Sequence, residues 1–220
     1  MMSHMQKWVV AAVLVLCGSA VVQGAVAAEA ARAEQTSADP YLIVDCVTRE
    51  VLGHIKAYRA KYTGAEVDEH IDEFFALMDS TLVKAIDFDW IALNVMGQYR
   101  KTATAEQRRQ FADAFHRGLV ETYGRGLLSY SNEKIVLVPA SEPVGDKRKV
   151  SVVQKIHGRD AIHPLEYTMG LGKDGQWKII NVIINGINLG KTFRNQFAQA
   201  VQKNSGDINQ VIVGWVPEPV

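Results

Sequence analysis

Cysteine is nearly absent. Of the two in 220 residues, Cys17 sits in an apolar N-terminal stretch and only Cys46 lies beyond it. With that stretch removed no intrachain disulfide can form, so the fold has to stand on packing, and Cys46 reads as a small buried filler rather than a reactive thiol. Excess charge is absent too: 24 basic side chains balance 24 acidic ones. This argues against nucleic acid, whose phosphates demand a basic surface, and implies no strong electrostatic partner. There is no HExxH, no paired cysteines or other metal-ligand spacing, no internal repeat and no low-complexity tract. No cofactor is expected. The unbroken apolar run Trp8–Cys17 is too short for a membrane-spanning helix, which needs about 20 residues, so no stable membrane anchor is expected.

What is present at the N-terminus is the order of an export signal. Lys7 precedes the apolar run, and Ala25, Ala27 and Ala28 supply a small-residue processing site, which assigns residues 1–28 to a signal peptide. Leu16 stands where a lipoprotein box wants a small residue, so Cys17 is not expected to carry lipid. Residues 29–39 are small and polar and read as a flexible leader. The mature chain of about 190 residues is long enough for one domain with a substantial core, placed at 40–216.

The pattern inside that domain changes once. Val44, Val47, Val51, Ile55, Tyr58 and Tyr62 keep helical spacing from Tyr41 to Tyr62, closed by Gly64. A second stripe from Glu66 to about Val83 predicts another helix. Asp87 can cap a short one carrying Trp90, Ile91, Val95 and Met96, which Gly97–Lys101 interrupts. Thr104 to Gln107 has capping-box form and opens a helix to about Leu128, striped by Phe111, Phe115, Leu119 and Tyr123. After Asn132 period two takes over, and four strands are predicted: Glu133–Val138, Lys147–His157, Ile162–Leu171 and Gln176–Ile184. Ile180, Val182 and Ile184 are read as one face of the last strand, Gly186 as the corner, and Leu189, Phe193 and Phe197 as the stripe of the helix that follows. A short helix Asp207–Trp215 closes the chain. Helices, then a meander, then helices means α+β, with helices on one face of a mainly antiparallel sheet.

The tract DFDWIALNVMGQYRKTATAEQRRQFADAFHRGLVETYGRGL at 87–127, together with WKIINVIINGINLGKTFRNQF at 177–197, resembles the MlaC family, also called the toluene-tolerance auxiliary family. Its anchors are Asp87-Phe88, Gly97-x-Tyr99, the Gln107-to-Phe115 helix with Tyr123, Trp177, Gly186 and Arg194-x-Gln196-Phe197. Asn181 and Asn188 depart from the Asp and Ser that the resemblance leads one to expect, which puts polar contacts there in doubt. The resemblance implies an NTF2-like cone with an apolar cavity, and a monomeric periplasmic carrier of phospholipid. Such a carrier shuttles lipid between an outer-membrane lipoprotein–porin complex and an inner-membrane ABC transporter complex, maintaining outer-membrane lipid asymmetry.

The candidate lipid-binding wall is Ile91, Val95, Tyr99, Phe111, Phe115, Leu119 and Tyr123 from the helices and Val152, Ile156, Tyr167, Met169, Ile180, Val182 and Ile184 from the sheet. Tyr99 and Arg100 could approach a phosphate, and Arg194 could meet a partner or pair with a carboxylate. Each apolar stripe is equally compatible with an ordinary filled core, which would make the protein a periplasmic adaptor that only binds other proteins. An NTF2-like enzyme is the third reading, and it lacks a convincing acid–base or nucleophile set. His116 is placed away from the 111–115–119 line, Asp45, Asp87 and Asp89 sit near helix ends, and Cys46 and His54 are two turns apart.

Overall fold

The described residues run from Asp39 to Glu218 in a computed structural model; the expected signal and all but the last residue of the expected leader lie outside them. Pro40 opens α1 (Pro40–Lys61), a position where its fixed φ suits the helix and its missing N–H costs nothing. The second stripe is divided. Two helices, α2 (Glu66–Glu69) and α3 (Ile71–Ala85), meet at His70, whose φ of −109° and ψ of 16° are not helical. Contacts from α1 hold that turn: the Tyr58 hydroxyl donates to the Val67 carbonyl at 2.7 Å, and the His70 ring stacks on Tyr62 with centroids 4.2 Å apart.

Local signals account for the next two helices. In α4 (Phe88–Val95) the Asp87 carboxylate accepts from the Trp90 N–H at 2.9 Å. Gly97, at φ +56°, then turns the chain into a 3-10 segment, Gly97–Lys101. The next helix, α5 (Ala105–Leu127), begins with a complete capping box. Thr104 Oγ1 accepts from the Gln107 N–H at 3.1 Å, and Gln107 Oε1 accepts from the Thr104 N–H at 2.8 Å.

The meander is antiparallel throughout, in the order β1 (Lys134–Leu137), β2 (Lys149–His157), β3 (Ile162–Leu171), β4 (Trp177–Ile184) and β5 (Ile187–Asn188). The sequence predicts four of these strands. The fifth exists because Asn185 and Gly186 both have positive φ, 50° and 83°, the backbone of a two-residue type I′ hairpin. The chain therefore reverses at Gly186 before entering α6 (Leu189–Lys203), and α7 (Ile208–Val213) follows. Asn188 caps α6 by accepting from the Lys191 N–H at 3.0 Å.

A bulge in β4 resets which residues face the helices. Met169 pairs with Ile179 while Thr168 pairs with Asn181, so Ile180 has no opposite number on β3. Before the bulge Trp177 and Ile179 point inward, and after it Val182 and Ile184 do. Ile180 does not share their face: it packs over Gly170 on the other side of the sheet, where a Cβ on that glycine would lie 2.9 Å from Ile180 Cδ1.

Three buried clusters hold the layers together. Rings from α5, α6 and the residues after α7 form one, with Phe111 and Phe197 centroids 4.6 Å apart and Trp215 5.3 Å from Phe111. Ile55, Tyr58, Phe74 and Met78 join α1 to α3. Val44 and Ala85 cover the sheet at Val152, Met169, Trp177 and Ile179. Cys46, expected to be buried, is half-exposed on α1, with Arg49 Nη2 donating to its Sγ at 3.5 Å.

Candidate functional site

Between these clusters a cavity of about 260 Å³ remains, floored by β3 and β4 and roofed by α5, with α3, α4 and α6 closing the sides. Its wall is almost wholly carbon. Half of the predicted wall is here: Ile91, Phe115, Leu119 and Tyr123 from the helices, Tyr167, Val182 and Ile184 from the sheet. The helical part follows from spacing, since the 115–119–123 line of α5 turns one face to the sheet. On β3, Leu165 and Tyr167 share an inward face with Met169.

The other half lies elsewhere, for three reasons. Val95 and Phe111 are buried in the aromatic cluster, and Tyr99 packs against it with its ring centroid 6.0 Å from that of Phe197. On the inward face of β2, α1 takes the space a cavity would need. Val152 is fully buried in the Val44 cluster with Met169, and Ile156 continues that face opposite Ile135 of β1. Ile180 is on the far face because of the bulge. Residues outside the predicted set complete the wall, chiefly Leu82 and Ile86 at the end of α3, Leu165, Ile179, Leu127 and Phe193. The α3 residues carried a usable signal, the apolar stripe that ends at Leu82, whereas Ile179 was hidden by the parity change.

Two polar features fix the wall. Gln154, fully buried on β2, donates from Nε2 to Thr48 Oγ1 at 3.0 Å and accepts at Oε1 from the Tyr167 hydroxyl at 3.1 Å. Burial pushes the Tyr167 hydroxyl well above the usual tyrosine range, against a smaller opposing effect of Thr48. The phenol therefore stays neutral, its ring on the cavity wall and its oxygen held between strands. At the opposite edge Asn181 Oδ1 accepts from the Gly190 N–H at 3.1 Å, joining β4 to the first turn of α6. Gly190 permits this approach, because a Cβ there would lie 2.6 Å from that oxygen. Both asparagines that depart from the expected residues thus make local hydrogen bonds.

The remaining candidates have other partners. The His116 ring lies outside the cavity, stacked on Phe88 at 3.9 Å with Nε2 2.7 Å from Asp79 Oδ1. Asp45 pairs with Arg49 at 2.9 Å, Asp89 sits in the first turn of α4, and His54 Nε2 lies 3.1 Å from Thr81 Oγ1 on α3. Arg100 is exposed on the 3-10 segment. Among the described residues Arg194 pairs with no carboxylate, and its Nε donates to the Asn94 carbonyl at 2.8 Å. Among the described residues no three His, Cys, Asp or Glu side chains converge to hold a metal, and no helix is long and apolar enough to cross a membrane.

Comparison with known proteins adds an independent line. Residues 35–216 match the family model described as MlaC protein. The toluene tolerance protein ttg2D of Pseudomonas putida is 37% identical over 182 residues, 81% of this chain and 80% of that protein. The intermembrane phospholipid transport system binding protein MlaC of Haemophilus influenzae is 23% identical over 190 residues, 84% of this chain and 81% of that one. Among solved structures, the phospholipid-binding protein of Ralstonia solanacearum, determined in complex with a phospholipid at 1.53 Å, superposes with a TM-score of 0.68 at 26% identity, covering 80% of this chain and 94% of that chain.

Proposed function

The chain belongs to the MlaC family, and from that premise we propose that it is a periplasmic phospholipid carrier. It is exported by residues 1–28, works as a monomer and takes acyl chains into the cavity between α5 and β3–β4. It passes lipid between an outer-membrane lipoprotein–porin complex and an inner-membrane ABC transporter complex, and so keeps the outer membrane asymmetric. Phospholipid is cargo, and the chain needs no cofactor.

The observation that carries this reading is the carbon-lined space roofed by helices and floored by a sheet. A diacyl lipid in water exposes on the order of 30 methylenes, at ~0.8 kcal/mol each, so a carrier has to enclose its tails rather than offer a patch. At about 260 Å³ the cavity is smaller than common ligand pockets of roughly 300–1,000 Å³. Loading two tails therefore requires the wall to give way.

Native mass spectrometry of the protein purified from periplasm tests the proposal, and about one phospholipid per chain is the expected result. Repeated preparations free of lipid would favour an adaptor that only binds other proteins. A charge on the wall gives a second readout. Ile184→Arg should leave a folded chain that retains no lipid, because the guanidinium can reach through the space to water instead of being sealed in carbon.

A further inference from the structure

After α7 the chain runs back across α5 to α6 as a strap, residues 215–218, with no regular structure of its own. Its side chains alternate: Trp215 is buried, Val216 is 69% exposed and Pro217 is buried again. One end is held by the aromatic cluster, where Trp215 lies 5.3 Å from Phe111 and 5.6 Å from Phe197 between ring centroids. The other is held by α6, where Gln196 Nε2 donates to the Glu218 carbonyl at 3.1 Å and Gln196 Oε1 accepts from the Glu218 N–H at 3.2 Å. Between these fixings Pro217 rests on the backbone of α5 at Gly118, where a Cβ would lie 2.7 Å from Pro217 Cδ. A proline ring is closed on its own backbone and cannot swing aside, so only glycine admits the strap at this point.

Gly118 falls at the boundary between the sealed first half of α5 and the half that roofs the cavity. The two halves also differ in stiffness. Residues 105–117 contain no glycine, whereas 119–127 contain Gly124 and Gly126, and each weakens a helix relative to alanine. Gly124 has a packing reason, since a Cβ there would lie 3.2 Å from the Phe75 ring of α3; at Gly126 a Cβ would meet nothing within 4 Å. The end of this half is tied by exposed groups, Arg125 to Asp68 at 2.5 Å and Arg59 to the Tyr130 carbonyl at 2.6 Å, contacts that water can replace.

We infer that the strap is the fulcrum of the roof: Gly118, Pro217 and Gln196 position α5 so that it opens by bending beyond residue 118 while the aromatic cluster stays shut. The inference rests on the carrier reading above. With the strap displaced, the first half of α5 can part from α6 as well, so cargo enters and leaves faster. The strap thus sets how long a lipid is kept, and its residues touch no lipid themselves.

The test mixes the mature chain, purified with its lipid, with an isotope-labelled copy carrying deuterated lipid. Native mass spectrometry follows the swap, and amide hydrogen exchange and melting temperature are read on the same samples. Gly118→Ala strengthens the helix itself but displaces the strap, and should speed the swap about tenfold, the scale of one or two lost hydrogen bonds. Deleting residues 217–220 should do the same, and the two changes together no more than either, because both remove one contact. In each, the amides of 108–117 should exchange faster while those of β4 keep their protection. Gln196→Ala, which leaves Pro217 in the chain, should give a smaller gain of about threefold, and stands in for the deletion should that chain not fold. Gly126→Ala stiffens the bending half without meeting a neighbour and should slow the swap about threefold. Unchanged rates in Gly118→Ala and Gln196→Ala, or gains that add, overturn the fulcrum and leave the carrier reading standing. A wild-type chain that holds no lipid removes the carrier reading, and the fulcrum as a control on cargo falls with it.

Discussion

The two halves of α5 carry the same pattern and meet different fates. Toward its start, Phe111 and Ala112 are sealed by Phe197, Val211 and Trp215; toward its end, Leu119, Tyr123 and Leu127 face open space above Val182 and Ile184. Phe115 belongs to both halves, fully buried on one side and lining the cavity on the other. The difference lies in what stands opposite. Phe197 of α6 and Trp215 after α7 fill the space against Phe111, whereas Val182 and Ile184 of β4, even with Phe193 beside them, leave space below the second half of α5. An amphipathic stripe thus reports which face is buried without reporting whether the facing layer fills the gap.

The strongest test of that contrast places the same charge in each kind of region. Val152→Arg should yield no folded protein, because an unpaired guanidinium would be sealed between Val44 and Met169; Ile184→Arg should fold, and circular dichroism with thermal melting separates the two. Truncation comes next. Phe111→Ala is expected to cost about 3–5 kcal/mol, as for other buried aromatics, and Leu119→Ala about 2 kcal/mol, the low end for a leucine, since its side chain borders a space that already exists; denaturant titration measures both, and equal losses would mean the second half is as solid as the first. Gln154→Leu should cost ~1–3 kcal/mol by stranding the Tyr167 hydroxyl and Thr48, with the cavity wall otherwise intact. The smallest effect is one of pH. With the Tyr167 pKa raised in the fold, its contribution is complete below about pH 10, where an unfolded tyrosine ionises, and is lost as pH climbs above that toward the folded value. Tyrosinate absorbance should show Tyr167 ionising only as the chain unfolds, a step that Tyr167→Phe removes while the raised Tyr58 and Tyr130 remain.

Elements governed by neighbours in sequence were legible from the sequence. The Thr104–Gln107 box, the Asp87 cap and the alternation of β3 are local devices, and they appear where their residues predict. The hairpin at Asn185-Gly186 was legible in principle, since Asn-Gly is a type I′ signal, but Gly186 alone also suits a simple corner. Decisions made across the fold were not legible. Nothing in β4 itself marks Ile180 as an extra residue, because the bulge is defined by its pairing with β3. Nor does β2 reveal that α1 will lie on Val152 and Gln154. These two facts displace Ile180, Val152 and Ile156 from the predicted wall.

A strand with one residue too many for its neighbour cannot slide along it, since any slip would move the surplus and turn inward-facing residues to solvent. The bulge at Ile180 therefore pins the floor in a single register. Extra room for a guest molecule is then expected from the ceiling, by α5 and its companions lifting off a platform of fixed register.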